Sequence, residues 1–174
     1  MGTLIQAWAG HKSFVRKDGK DDGEDGGNFK DKSRGNDTHE SNTDPDARLH
    51  CKGDNASRLR YMGHTLIDNR HGLVTNVMVS KADGYAEREA AKAMINDARQ
   101  AAKNPEAQIT LGAYKGYDAQ EFIDALQAMN VVSHLAQNTS GRKSAVPDAK
   151  AATPGYAIRC KRENSLRRAF AGQK

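Results

Sequence analysis

An α/β fold follows from three features of the sequence. First, residues 58–68 and 72–81 read as two strands joined by the tight connection Asn69-Arg70-His71-Gly72, hence an antiparallel hairpin. Second, residues 86–103 form the strongest helical pattern, with Ala91, Met94, Ile95, Ala98 and Ala102 on one stripe before Asn104-Pro105 stops it. Third, the apolar run Ile109 to Leu111 predicts a strand that Gly112 lets turn sharply, and Asp118 with Glu121 has the spacing of a capping box opening a helix. Strand, loop and helix in that order are where α/β folds place their chemistry, at the carboxyl end of the strand. The side chain at this exit is Tyr114.

The remaining elements follow in chain order. Thr3 to Ala9 alternates loosely around Trp8 and predicts a first strand. Residues 16–53 are rich in Gly, Asp, Lys and Asn, with Phe29 and Leu49 as isolated large apolar residues, and predict a long flexible insertion after that strand. Within the hairpin, Leu73, Val77 and Val79 share one face of the second strand and Val74 and Met78 the other. The strand over 108–113 is followed by a helix over 118–129, with Ile123, Leu126 and Met129 aligned, and Val131-Val132 begins a fifth strand. Residues 137–153 read as a loop, and Lys161 to Ala171 as a last, strongly basic helix.

Composition narrows the possibilities. The 174 residues suit one domain or a piece of a larger one, and a hydrophobic fraction of 37% leaves only a modest core. No apolar run approaches the roughly 20 residues of a membrane span, and the first residues lack a signal pattern, so the expected setting is cytoplasmic without membrane contact. Cys51 and Cys160 have no metal-ligand spacing and read as simple thiols. The net charge of +5 is unevenly spread. Residues 16–40 carry six Lys/Arg against eight Asp/Glu, whereas residues 142–174 carry nine against two, Asp148 and Glu163. A concentrated basic segment favours a phosphate-backbone partner, that is, DNA or RNA.

Eight ordered motifs carry a resemblance to a known family. They are Gly2-Thr-Leu-Ile-Gln-Ala-Trp-Ala-Gly-His-Lys-Ser-Phe14, Thr43-Asp-Pro-Asp-Ala-Arg48, Tyr61-Met-Gly-His64, Asn69-Arg-His-Gly-Leu73, Ala86-Glu-Arg-Glu-Ala-Ala91, Leu111-Gly-Ala-Tyr-Lys-Gly-Tyr-Asp118, Ala136-Gln-Asn-Thr-Ser-Gly-Arg142 and Pro154-Gly-Tyr-Ala157. Over nearly its whole length the chain resembles insertion-sequence transposases of the DDE class, whose catalytic domain is RNase H-like. The resemblance implies that fold here, a mixed five-stranded sheet with flanking helices, and the element order read above, βββαβαβ, a long loop, then α, is the RNase H-like order. It also implies that the chain is a partial catalytic domain, without the DNA-binding region and further helices that family members carry.

In that family two Mg²⁺ ions, about 4 Å apart, stabilise the attacking and leaving oxygens of an in-line displacement at phosphorus. Three carboxylates hold them, since Mg²⁺ requires hard anionic oxygens. Here Met1 stands where the first Asp is expected and Tyr114 where the second is. A neutral phenol, with a pKa of about 10, is a poor ligand at pH 7. Aligned from Pro154-Gly-Tyr-Ala157 and agreeing at Phe170 and Lys174, the family's Glu falls on Arg167 and its neighbouring Glu on Arg168. A wider signature of Tyr, Arg, Glu and Lys matches Tyr156, Arg159 and Glu163 but then meets Phe170 in place of Lys, which leaves Glu163 as the one surviving carboxylate candidate.

The resemblance therefore implies a transposase-type domain that is catalytically inactive and holds no metal. The alternative is a non-catalytic DNA-binding module or transposition inhibitor, acting through the basic carboxyl segment or by assembling with an intact transposase copy. Candidate phosphate contacts are Lys115, Arg142, Lys143, Arg159, Lys161, Arg162, Arg167 and Arg168. Blander readings apply elsewhere. His64 and His134 sit near apolar segments as structural histidines, Asp44 and Asp46 flank Pro45 as turn residues, and Gly112 and Gly116 make no phosphate-binding loop.

Overall fold

A computed structural model describes residues 2–19, 34–51, 56–158 and 161. It is a mixed α/β chain that divides into two compact units, one built from Gly2–His64 and Met78–Ala86, the other from Thr65–Val77 and Glu87–Lys174. Among the described residues no helix is long and apolar enough to cross a membrane.

In the first unit, β1 (Gly2–Gln6) pairs antiparallel with β5 (Arg58–Ile67), from Gly2 opposite His64 to Gln6 opposite Arg60. β1 is shorter than the sequence suggests. Ala7 and Ala9 are buried, and Trp8, at a bend between them, is wholly exposed. β4 (Arg48–His50) pairs with β5 from its other side, and β2 (Phe14–Arg16) pairs with β3 (His39–Ser41) as a separate two-stranded ribbon. Two small cores result. One gathers Ala7, Phe14, Ala47 and Leu59, and the other Met62, Ala82 and Ala86.

β3 and β4 fall within the insertion expected over 16–53, of which residues 20–33 and 52–53 lie outside the described residues. The composition offers few large apolar side chains, yet order comes from other sources. β3 and β4 satisfy their backbones on β2 and β5, the Asn36 amide bridges to the Leu49 backbone in both directions, and the small residues Ser41 and Ala47 are fully buried. His39 stacks on Phe14 at 5.5 Å.

β6 (Val74–Lys81) pairs with β5 across the predicted tight connection, closed by the Asp68 N–H donating to the Leu73 carbonyl and by Gly72 at a φ of +73°. Its expected face of Leu73, Val77 and Val79 is the solvent face, each residue being more than half exposed.

The second unit holds most of the α/β pattern. α1 (Ala86–Ala101) begins one residue before it and buries Ala91, Met94 and Ile95, the stripe that the 3.6-residue period predicts. β7 (Ile109–Ala113) pairs in parallel with β8 (Val131–Leu135), and α2 (Gln120–Ala128) links them. Leu126 and Leu135, both fully buried, meet Phe122, Ile123, Val131 and Tyr156 in the unit's core. The 137–153 loop carries a one-turn helix, α3 (Asp148–Ala151), and residues 154–158 are helical, earlier than the last helix expected from Lys161.

The single five-stranded sheet is corrected as well. The described strands form three sheets, with β7 and β8 paired only to each other. Period-two patterns identify strands but say nothing of which strand neighbours which, because side chains alternate the same way in any pairing.

Candidate functional site

The carboxyl end of β7 is where the sequence places the site, and the structure builds it from three short pieces. Tyr114 leaves β7 in an extended conformation and begins a single 3-10 turn, Lys115–Tyr117. The Tyr114 hydroxyl donates to Glu87 Oε2 at 2.6 Å, tying the strand exit to the first turn of α1. The Tyr114 ring meets Tyr117 edge-on at 5.3 Å, and Tyr117 in turn packs on Phe122. The phenol is therefore fixed from both ends, by a charge-assisted hydrogen bond at its oxygen and by aromatic packing at its ring.

Gly116 makes that placement possible. A Cβ at this position would lie 2.7–2.9 Å from the outer atoms of the Tyr114 ring. Gly116→Ala is accordingly expected to push the ring off Glu87, at a cost of about 1–3 kcal/mol. In a Tyr114→Ala background the same change should be nearly neutral. Thermal denaturation of the two single variants and the double variant measures the coupling, and simple additivity would refute the contact.

Asp118 does not act as the predicted cap. α2 starts after Ala119, with no side-chain cap, so the capping-box expectation is corrected. The Asp118 carboxylate is 1% exposed and accepts three hydrogen bonds instead, from the Asn138 N–H at 2.7 Å, the Ser144 hydroxyl at 2.7 Å and the Ala145 N–H at 2.9 Å. Burial pushes its pKa up, but those donors and the nearby Arg142 charge outweigh burial and hold it below the usual carboxylate value. Asp118 is a loop anchor, charged and fully engaged.

Three of the proposed phosphate contacts lie around this anchor. Lys115 reaches Ser140 at 3.3 Å, Arg142 donates to the Asp118 backbone carbonyl, and Lys143 is exposed on the same loop. Lys161 is exposed, while Arg159, Arg162, Glu163, Arg167 and Arg168 lie outside the described residues. Glu87 was within a motif that carried the family resemblance but had no role in it. Its partnership with Tyr114 spans 27 residues, and no local pattern signals it.

Of the positions where the resemblance expects metal-binding carboxylates, only that of Tyr114 lies among the described residues, and it offers a phenol. The carboxylate beside Tyr114 is Glu87, and it accepts the phenol's hydrogen bond. Among the described residues no three His, Cys, Asp or Glu side chains converge. Asp44 and Asp46 flank a turn in which the Ala47 N–H donates to the Asp44 carbonyl at 3.1 Å; the Asp44 carboxylate accepts from the Tyr61 hydroxyl, and Asp46 meets Lys81 at 2.7 Å. That bond to Asp44, followed by burial, pushes the Tyr61 phenol up to about 12. His64 is buried with Nε2 2.7 Å from Ser80 Oγ, and His134 stacks on Tyr156.

Comparison with known proteins adds no relative: no family model, no curated protein and no solved structure matches this chain.

Proposed function

We propose that the chain is a DDE-transposase-type domain in which the metal-binding function has been lost. The observation that carries this reading is Tyr114. It stands at the end of β7, where the motif similarity expects a metal-binding Asp, and its hydroxyl is committed to Glu87. A phenol in that position supplies no anionic oxygen at neutral pH, and its ring takes up the space a metal and its water would need. Arg167, at the position of the family's Glu, adds positive charge where negative charge is required.

DNA binding without cleavage is the activity that survives such losses. The nine basic residues of 142–174, with Lys115 beside their loop, favour contact with phosphates. Binding is expected to be independent of sequence, with an affinity of roughly 10⁻⁴–10⁻⁶ M at physiological salt and a steep loss as salt rises. A salt titration of duplex binding, run in parallel with an Arg167→Glu, Arg168→Glu variant, tests it. Salt-insensitive binding, or binding unchanged by the double reversal, would remove the basic segment from the reading.

A role as a transposition inhibitor follows from the same surface. A binder that cannot cut would compete for DNA without regard to sequence, transposon ends included, or assemble with an intact transposase. Purified chain added to an intact transposase should lower strand transfer in proportion to its own DNA occupancy.

A further inference from the structure

The sheet of the first unit has two unlike faces. One turns Leu49, Leu59 and Tyr61 toward the small core around Phe14. The pairing register fixes what the other carries. Gln6 on β1 and Arg48 on β4 both lie opposite Arg60, and His50 lies opposite Arg58. Residues directly opposed across antiparallel strands, and residues two apart along one strand, share a face. Arg48, Arg58 and Arg60 therefore stand together, on stems about 5–7 Å apart. Gln6 belongs with them, since its Oε1 accepts from Arg58 Nη1 at 3.0 Å. Arg58 is exposed, and Arg48 and Arg60 are half-buried. The Ala7 N–H still donates to the Leu59 carbonyl at 3.0 Å, so the register holds as far as Ala7, and the chain then bends at Trp8, next to the position of Arg58. Trp8 is the one tryptophan of the chain and is 100% exposed.

Neither feature stabilises the fold. Like charges directly opposite one another across strands are destabilising, and Arg48 faces Arg60. None of the three arginines makes an ion pair among the described residues. Arg48 donates to the Pro45 and Ala47 carbonyls and Arg58 to the neutral Gln6, while Asp46, two residues before Arg48, is engaged by Lys81. A wholly exposed indole buries nothing. We propose that this face of β1, β5 and β4 binds a single-stranded nucleic acid, with one base stacked on Trp8 and the adjoining phosphates held by Arg48, Arg58 and Arg60. Charge complementarity calls for a polyanion, and the indole calls for one that also offers flat π-faces. In a duplex those faces are shut inside the base stack, so the strand must be single or frayed. An acidic peptide would satisfy the arginines and leave the indole without a partner. Stacking accepts any base, so the face does not discriminate sequence. This inference stands apart from DNA binding by the carboxyl segment, because all of its residues lie in the first unit.

Because Trp8 is the only indole, its fluorescence reports occupancy of this face alone. An oligothymidylate of about six nucleotides, titrated into the full chain, should quench Trp8 emission saturably. With three phosphates neutralised, the logarithm of the affinity should fall with the logarithm of salt at a slope of about −2. Arg58→Ala and Arg60→Ala should each make that slope shallower by about 0.7. A glutamate peptide of equal charge should neither quench Trp8 nor displace the oligonucleotide. Absence of quenching, a salt slope unchanged in both arginine variants, or displacement by the glutamate peptide at equal concentration would overturn the proposal, the last by marking an acidic-peptide surface. An end-labelled oligothymidylate that binds by anisotropy without quenching Trp8 would also overturn it, and would leave the carboxyl segment as the binding surface. Saturable quenching in a chain that fails to bind duplex would uphold this face and count against that segment.

Discussion

Asp118→Ala should destabilise the second unit by about 3–5 kcal/mol, the largest effect expected of any single surface-loop anchor in the chain. Asp118 is almost fully buried, and its removal strands the Asn138 and Ala145 N–H groups and the Ser144 hydroxyl together. Hydrogen bonds to a charged acceptor contribute about 1.5–3 kcal/mol each, and buried donors left unpaired carry their full desolvation cost. Asp118→Asn should fall between wild type and alanine. Both oxygens of the wild-type carboxylate accept, so an amide group must turn its NH₂ toward one of the donors.

The same carboxylate gives the unit a pH dependence of known sign. Its folded pKa is lowered, so between the folded value and the unfolded value of about 3.9 the unfolded chain binds the extra proton. Stability from Asp118 is therefore complete above about pH 4–5 and lost as pH falls through the folded value. Hydrogen exchange of the 138–146 loop should accelerate in that acid range, and the acceleration should be absent from Asp118→Ala. An alanine variant that keeps wild-type exchange in the loop at neutral pH would show that the anchor is dispensable.

What could be read from the sequence was what depends on near neighbours in the chain. The α1 stripe, the turn at Gly72, β7, α2 and β8 are all periodic or turn-coded, and they appear within a few residues of their expected bounds. Asp118 and Glu121 satisfy a capping pattern locally, yet the carboxylate is taken by donors 20–27 residues further on. A long-range donor set of that kind leaves no trace in the spacing of the motif. β3 and β4 are similar, because their pairing rests on backbone hydrogen bonds and small buried side chains rather than on large apolar ones. The division of the strands among three sheets was also out of reach, since hydrophobic alternation fixes faces and not neighbours.

At the site, the position of Tyr114 was legible from its motif and its engagement with Glu87 was not. That bond bears on the proposed loss of metal binding. Changing Tyr114 to Asp would place a carboxylate at the β7 exit and also release Glu87, so two negative groups would then face one another unneutralised. A divalent cation is the natural counter-charge, but two carboxylates hold it weakly without the third. Tyr114→Asp alone should accordingly leave the chain without Mg²⁺- or Mn²⁺-dependent nicking.

The most direct measurement is Mn²⁺ binding, followed by calorimetry and by the paramagnetic resonance of the ion, in the parent chain and in a restored variant. The restored variant carries an Asp inserted between Met1 and Gly2, Tyr114→Asp and Arg167→Glu, and each partial combination serves as a control. The expected result is no specific binding by the parent or by any single change, and saturable Mn²⁺ binding once all three carboxylates are in place. A parent chain that nicks DNA in Mg²⁺ or Mn²⁺, or a folded triple variant that binds Mn²⁺ no better than the parent, would contradict the derivation from a DDE-transposase site.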